Sequence, residues 1–287
     1  MNTMVIWLND EIITDKTATV AASAAGLLLG WGVFTTLGIW NGHAFAVERH
    51  LARLRRDAAA LDIPIAFDDD AIRAALQTVI EQNQVREGHA RCTATRRGDG
   101  RWNRSGGGDL SIMAAAAERP AGNAHLRLVL SPYRIEKRRP LSGIKATSYL
   151  DYQWAWREAV QRGFQDAVLC NSQGVICECT RANLFWARRN ELHTPAPDTG
   201  CLPGIAREII LEWAGDMALS VREGVFSIQE LAGADEVFVT AATTGPRAVE
   251  VFCDAWDESG IEHFYGAPGP LTQRLQKRWS DACLGGE

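Results

Sequence analysis

The sequence contains no apolar run of the roughly 20 residues that a membrane-spanning helix needs. The nearest candidate, "VAASAAGLLLGWGVF" at residues 20–34, is too short and is interrupted by glycine. An excess of positive charge is also missing, because the formal net charge is -5, whereas nucleic-acid-binding domains usually carry a basic face. We therefore expect neither a membrane protein nor a nucleic-acid partner.

A disulfide framework is absent as well. The chain has seven cysteines, an odd number, at spacings that suggest no set of bridges. Cys177 and Cys179 form a C-x-C pair, but no second Cys or His group accompanies them to complete a metal site. With no secretory signal pattern, we expect reduced, buried thiols, no metal and a cytoplasmic location.

The 287 residues suffice for two domains. Period-2 runs and hairpin turns alternate with amphipathic stretches at residues 47–61, 68–84, 152–162, 205–214 and 270–284. The segment "RPAGNA" at residues 119–124 is typical of a linker. The pattern predicts an α/β protein with an N-terminal domain at residues 1–118 and a second domain at 125–287.

One lysine lies in unusual surroundings. Lys145, in "PLSGIKATSYL", follows Gly143 and Ile144 and has small or apolar neighbours. Ammonium groups are seldom buried without a partner. Either this side chain extends to solvent, or it is a desolvated amine that acts as a nucleophile.

A carboxylate interrupts an apolar strand in "GVICECTRANLFW". Burying Glu178 without a partner costs several kcal/mol or more, so it requires a cation or strong donors. The candidates are a nearby arginine such as Arg181, or the protonated ring nitrogen of a cofactor such as pyridoxal phosphate.

Three further segments are suited to holding a phosphate. "LPGIARE" sets a Pro-Gly turn before a helix, so the amides of Ile205 and Ala206 are directed at an anion. "VTAATTG" supplies a turn with the hydroxyls of Thr243 and Thr244. Arg53, on the helix "RHLARL", is either a surface residue or the required positive charge.

From "GWGVFTT" to the C-terminal helix, these segments taken in order resemble the fold-type IV, or class IV, pyridoxal-phosphate enzymes. The resemblance implies a smaller N-terminal α/β domain and a larger C-terminal domain with a mixed, barrel-like sheet. It implies that Lys145 forms a Schiff base with pyridoxal 5'-phosphate and shuttles the proton, and that Glu178 holds the pyridinium proton. The further cofactor-binding residues that it implies are Arg53, Tyr149, Asn183, Ile205, Ala206, Ala242 and Thr243.

The activity that the resemblance implies is an aminotransferase for an amino acid and a 2-oxo acid, working as a homodimer. The alternative is 4-amino-4-deoxychorismate lyase, which "VFTT" resembles; Thr35 or Thr36 then assists pyruvate elimination. Substrate contacts are expected from the turn at Thr243 and Thr244, and from Arg97 and Trp102 in the polar loop 97–109. The chain departs from the usual family pattern at Leu29, where branched-chain enzymes carry Tyr, and at Ala206, where Thr is usual.

Overall fold

The structure, a computed structural model, describes residues 3–98, 106–117, 125–257 and 259–285. By its internal packing the chain divides into two units. The first comprises Met1–Arg119 with Ile144–Tyr149 and Ala282–Glu287, and the second comprises Pro120–Gly143 and Leu150–Asp281. The proposed linker at residues 119–124 lies outside the described residues, and the domain limits remain a prediction. The division by packing differs from the predicted domain limits, because it assigns Ile144–Tyr149, which contains Lys145, and Ala282–Glu287 to the first unit.

The first unit is built on one antiparallel sheet in the order β2-β1-β6-β5-β3-β4. Its strands are β1 (Val5–Leu8), β2 (Glu11–Thr14), β3 (Gly32–Trp40), β4 (His43–Ala44), β5 (Gly88–Arg96) and β6 (Gly108–Ala116). Its helices are α1 (Ala25–Leu28), α2 (Val47–Ala60) and α3 (Asp69–Gln82). Tight turns join the hairpins, and Asn41 and Gly42 take φ values of 50° and 83° between β3 and β4.

Helices α2 and α3 supply the apolar stripes that the sequence predicts. Leu51 and Leu54 of α2 pack with Leu76 of α3 and with Leu37 and Ile39 of β3 in a single core. These side chains are almost completely buried. The α2 stripe therefore covers one face of β3, and this contact sets which β3 side chains meet the helix.

The second unit contains a mixed sheet in the order β12-β11-β10-β13-β14-β7-β8-β9, with β15 paired to β14. Its strands are β7 (Leu126–Ile135), β8 (Asp166–Asn171), β9 (Ile176–Cys179), β10 (Asn183–Arg188), β11 (Glu191–Pro195), β12 (Ser220–Gly224), β13 (Glu236–Ala241), β14 (Gly245–Cys253) and β15 (Glu262–Phe264). Its helices are α4 (Leu150–Gln161), α5 (Ile205–Asp216), α6 (Gln229–Ala232) and α7 (Pro270–Gly285). The sheet curls into a half-barrel, as the sequence predicted. The sequence patterns did not predict helix α1 or strands β12, β14 and β15.

Central strands of this sheet are covered on both faces. Phe185 of β10 packs with Ile210 of α5 and Leu275 of α7. The next residue, Trp186, points the other way and packs with Phe226 and Phe252. Burial on both sides explains why nearly every residue of β8, β9 and β10 is buried, rather than every second one.

Two expectations from composition can be compared with the structure. All seven cysteine side chains are buried, and burial raises the pKa of Cys177 to about 12, which fits core residues rather than reactive thiolates. Within the described ranges, no helix has both the length and the apolar character needed to cross a bilayer.

Candidate active site

The backbone on each side of Lys145 is anchored within the first unit. The Phe34 N–H donates to the Lys145 carbonyl at 2.9 Å, and Ala146 forms a β-bridge with Val33 of β3. The Lys145 N–H donates to Oδ2 of Asp57 on α2 at 3.1 Å. Strand β3 and helix α2 together therefore fix the Cα from which the Lys145 side chain departs.

The Lys145 amine lies among aromatic rings. Its Nζ is 4.7 Å from the Phe34 ring centroid and 5.2 Å from that of Tyr149, and these two rings meet edge to face. The Arg91 guanidinium carbon also lies 3.6 Å from the Phe34 centroid. Burial lowers the pKa of Arg91. An amine and a partly desolvated guanidinium thus both pack against the Phe34 ring, and two such cations near each other suit an anionic ligand.

The opposite face of β3 holds a buried polar network. The Thr35 hydroxyl lies 2.6 Å from Nδ1 of His50 and accepts from Nη2 of Arg53 at 2.7 Å. The hydroxyl has one hydrogen and two lone pairs, so it can accept from the arginine and bond Nδ1 at the same time. All three side chains are buried. The network holds Arg53, the predicted phosphate ligand, within the packed face of α2.

His50 is uncharged at neutral pH in this environment. Burial lowers its pKa well below the ordinary value, and the charges of Arg53 and Lys145 lower it further. Its Nε2 is buried and has no hydrogen-bond partner within the described residues. In the tautomer that carries the hydrogen on Nε2, this ring nitrogen and the neighbouring arginine form an arrangement that a phosphate oxygen would satisfy.

Thr36 and Arg97 differ from Thr35 in their surroundings. Thr36 is only partly buried and pairs across the ladder with Arg91 of β5. Arg97 forms an ion pair with Asp109 at 2.6 Å, and its side chain is 54% exposed. The other predicted loop residue, Trp102, lies outside the described residues.

In the second unit, Glu178 is buried with neutral hydrogen-bond donors around it. Oε1 accepts from the Tyr152 hydroxyl at 3.1 Å, and Oε2 accepts from Asn183 Nδ2 at 3.3 Å and from the Leu202 N–H at 3.0 Å. Arg181, the cation suggested by the sequence, lies 4.6 Å from the centroid of the Trp156 ring. A carboxylate that is 5% exposed and oriented by neutral donors is suited to a protonated ring nitrogen.

Asn183 also connects Glu178 to the start of α5. Its Nδ2 donates to the Leu202 carbonyl at 2.8 Å, and a Cβ at Gly204 would collide with its Oδ1. Gly204 is the N-cap of α5 and supplies no side-chain cap, so the first amides, of Ile205 and Ala206, have no capping side chain. The helix start is thus a buried set of donors suited to an anion.

The turn after β13 carries the remaining predicted residues. Ala242 and Thr243 are partly buried, whereas Thr244 is exposed and its N–H donates to Ala241 at 3.1 Å. Thr240, the last buried residue before this turn, has a hydroxyl without a partner in the described part of the chain. Sequence reasoning chose the turn threonines and missed Thr240.

The structure thus assembles three groups around predicted residues. They comprise Lys145 with Phe34, Tyr149 and Asp57; Arg53 with Thr35 and His50; and Glu178 with Tyr152, Asn183 and the Leu202 amide. Sequence reasoning missed His50, Asp57, Arg91 and Tyr152. A signal existed for two of them, because His50 and Asp57 lie three residues before and four after Arg53, on the same helical face.

These groups can be compared with known proteins. The model of the family "Amino-transferase class IV" matches residues 32–251. A protein named probable branched-chain-amino-acid aminotransferase of Rickettsia bellii is 29% identical, with 87% of this chain and 86% of that protein covered. The D-alanine aminotransferase of Listeria monocytogenes serotype 4b is 27% identical, with coverage of 96% and 94%. The aminodeoxychorismate lyase of Bacillus subtilis is 26% identical, with coverage of 82% of each chain.

Solved structures that are similar to this chain also include aminotransferases. The branched-chain aminotransferase of Thermoproteus uzoniensis with norvaline superposes with a TM-score of 0.89 at 25% identity, covering 100% of this chain and 96% of that one. The branched-chain amino acid aminotransferase of Escherichia coli superposes with a TM-score of 0.85 at 25% identity, covering 98% of this chain and 94% of that one. The fold is that of the fold-type IV pyridoxal-phosphate enzymes. The chain belongs to the class IV aminotransferase family, and it is an enzyme whose cofactor is pyridoxal 5'-phosphate.

Proposed function

We propose that this enzyme is an aminotransferase that moves an amino group between an amino acid and a 2-oxo acid, with Lys145 as its reactive lysine. The observation that carries the proposal is Lys145 itself, whose backbone is anchored on both sides and whose amine lies near two aromatic rings, one of which also contacts the Arg91 cation. A base that moves a proton must be held in place, and the backbone that carries this amine is held by both β3 and α2.

The residues present fit pyridoxal phosphate at both of its ends. Glu178, with its neutral donors, would keep the ring nitrogen protonated. In the first unit, Arg53 would supply the positive charge for the phosphate. In the second unit, the donors would be the amides of Ile205 and Ala206, the hydroxyl of Thr240 near the end of β13, which has no partner within the described residues, and the turn of Ala242 and Thr243 that follows. When bound, the cofactor accepts the electron pair left on the substrate carbon after its proton departs.

Lys145 takes the proton from the substrate α-carbon at Nζ and returns it one step later. Such a base contributes about 10²–10⁴-fold to the rate. Arg91 binds the substrate carboxylate, because a partly buried guanidinium forms strong hydrogen bonds to carboxylates. Tyr149 packs beside the amine and limits the access of water. Thr243, Thr244, Arg97 and Trp102 remain proposed substrate contacts.

The second candidate activity is that of an aminodeoxychorismate lyase. The similar protein of Bacillus subtilis carries that name. In that case Thr36 is the better assisting hydroxyl. Thr35 already bonds His50 and Arg53, whereas Thr36 is partly exposed beside Arg91 on the neighbouring strand.

The first test is a half-reaction with the cofactor-loaded protein. We would add L-glutamate, L-leucine or D-alanine without an acceptor and follow conversion of the cofactor to its amine form by absorbance. Conversion by any donor supports the aminotransferase, and the reactive donor sets the stereochemistry. No conversion, together with pyruvate release from aminodeoxychorismate, favours the lyase.

Two variants test the residue roles. Lys145→Ala should retain the fold and lose the covalently bound cofactor spectrum, and Glu178→Gln should reduce turnover by about 10²-fold or more. An unchanged spectrum in Lys145→Ala would reject the assigned lysine.

We also propose a homodimer. A mass of 31.5 kDa for the fully active enzyme in light scattering would contradict it.

A further inference from the structure

A buried carboxylate lies behind the Lys145 segment, and the proposed chemistry does not use it. Asp57 is in the last turns of α2, and its side chain is 2% exposed. Its two oxygens have different partners. Oδ1 accepts from Arg56 at 2.8 Å and 3.1 Å, and Oδ2 accepts the backbone N–H of Lys145 at 3.1 Å.

The Arg56 pair alone does not account for this burial. The Arg56 side chain is 55% exposed, and an ion pair with an exposed partner is screened by solvent and contributes little. The contact with Lys145 is a charge-assisted hydrogen bond to a main-chain group, which is stronger than a neutral one. It joins two segments that lie 88 residues apart in the chain.

The hydrogen bond from the Lys145 N–H to Asp57 helps to fix the backbone at Lys145. The Lys145 carbonyl is held by the Phe34 N–H, while its own N–H is held by Asp57. With both peptide groups fixed, the direction of the Lys145 Cα–Cβ bond is set before any ligand binds. Without Asp57, one of the two anchors is lost and that N–H loses its acceptor.

We propose that Asp57 is a positioning residue that fixes the peptide N–H of the reactive lysine and so holds the Lys145 amine in its working geometry. This rests on the proposed role of Lys145. Asp57 acts through the backbone and not on the substrate, so its loss should lower kcat and leave KM nearly unchanged. Misplacement of a reacting group by about 1 Å costs on the order of 10²-fold in rate.

The bond can be observed directly, without cofactor or turnover. The sequence has four lysines, Lys16, Lys137, Lys145 and Lys277, so selective ¹⁵N-lysine labelling gives four backbone resonances that point variants can assign. We expect the Lys145 amide proton to be shifted downfield and protected from exchange in the cofactor-free protein. In Asp57→Leu it should move upfield and exchange at least about tenfold faster.

Two variants make this result specific. Arg56→Gln removes the ion pair and leaves the Lys145 bond, so the amide resonance and kcat should both stay at wild-type values. Asp57→Asn retains an amide oxygen as acceptor and should fall between wild type and Asp57→Leu. If Asp57→Leu does not fold, Asp57→Asn still tests the proposal, with a kcat loss of roughly threefold to tenfold expected from half of the geometric effect.

Either of two results would overturn the proposal. One is a Lys145 amide that shifts and exchanges as in wild type in both Asp57 variants. The other is an equal loss of kcat in Arg56→Gln and Asp57→Asn, which would indicate a merely structural ion pair. Failure of the proposed function can be told apart from failure of this proposal. A Lys145→Ala variant with full activity would reject the role of the lysine, whereas the hydrogen bond between Asp57 and the Lys145 N–H would still be seen in the amide resonance of the unmutated protein.

Discussion

Replacing Thr35 by valine removes one hydroxyl from the core of the first unit and nearly preserves the side-chain shape. Thr35 is fully buried. Its oxygen is the shared partner of His50 Nδ1 at 2.6 Å and of Arg53 Nη2 at 2.7 Å. Because valine fills the same space, the change tests the polar network and not the packing.

The magnitude follows from what the two partners lose. A buried polar group left without a hydrogen bond costs about 1–3 kcal/mol, and a charged one costs more. His50 Nδ1 loses the partner that Thr35 supplies, while Arg53 retains other interactions. We therefore expect Thr35→Val to lower the free energy of unfolding by about 2–4 kcal/mol. Thr35→Ser keeps the hydroxyl and loses a methyl group, at a cost of about 1 kcal/mol.

Urea unfolding of the cofactor-free protein, followed by tryptophan fluorescence and far-ultraviolet circular dichroism, measures this cost. Because the chain has two units, each transition is fitted separately. The matched control is Thr36→Val, one residue along the strand and only partly buried, which should change stability by less than about 1 kcal/mol. If Thr35→Val unfolds within about 0.5 kcal/mol of wild type, the inferred network is wrong.

Two further predictions concern the pH dependence and the start of α5. The unfolded state protonates His50 near pH 6.5 while the folded state keeps it neutral, so stability should fall below about pH 6.5 by up to about 1.4 kcal/mol per pH unit. His50→Asn should reduce this loss of unfolding free energy, measured by urea unfolding between about pH 5 and 7, a range set by the reference histidine pKa. Replacing the exposed His43 should leave the loss unchanged. Gly204→Ala should displace Asn183 and weaken cofactor binding measured by equilibrium dialysis, since its Cβ has no space. Gly215→Ala, on the same helix with open space, should instead stabilise by about 1 kcal/mol and bind cofactor normally.

Local sequence was enough to predict most of the helices and strands. The amphipathic patterns at residues 47–61 and 68–84 are properties of neighbouring residues, and the structure confirms them as α2 and α3. Two of the strands that were not predicted depend on distant partners, since β12 pairs in parallel with β11 and β14 pairs in parallel with β7. Long-range pairing supplies the stabilisation that short windows do not contain.

The sequence by itself determined the family and the chemically distinctive residues, because a lysine or a carboxylate in apolar surroundings is conspicuous wherever it occurs. It left Thr35 and Thr36 equivalent, since they are adjacent and identical in type. Only the tertiary structure separates them: strand alternation puts Thr35 under α2 with His50, and Thr36 on the side of Arg91.

The partners of Glu178 were likewise decided by the tertiary structure. They come from residues 26 positions before it and 5 and 24 positions after it, and no local pattern couples such distances. A buried charge is tolerated where folding brings donors to it, so the sequence identified the group that needs partners and the fold decided which partners it has.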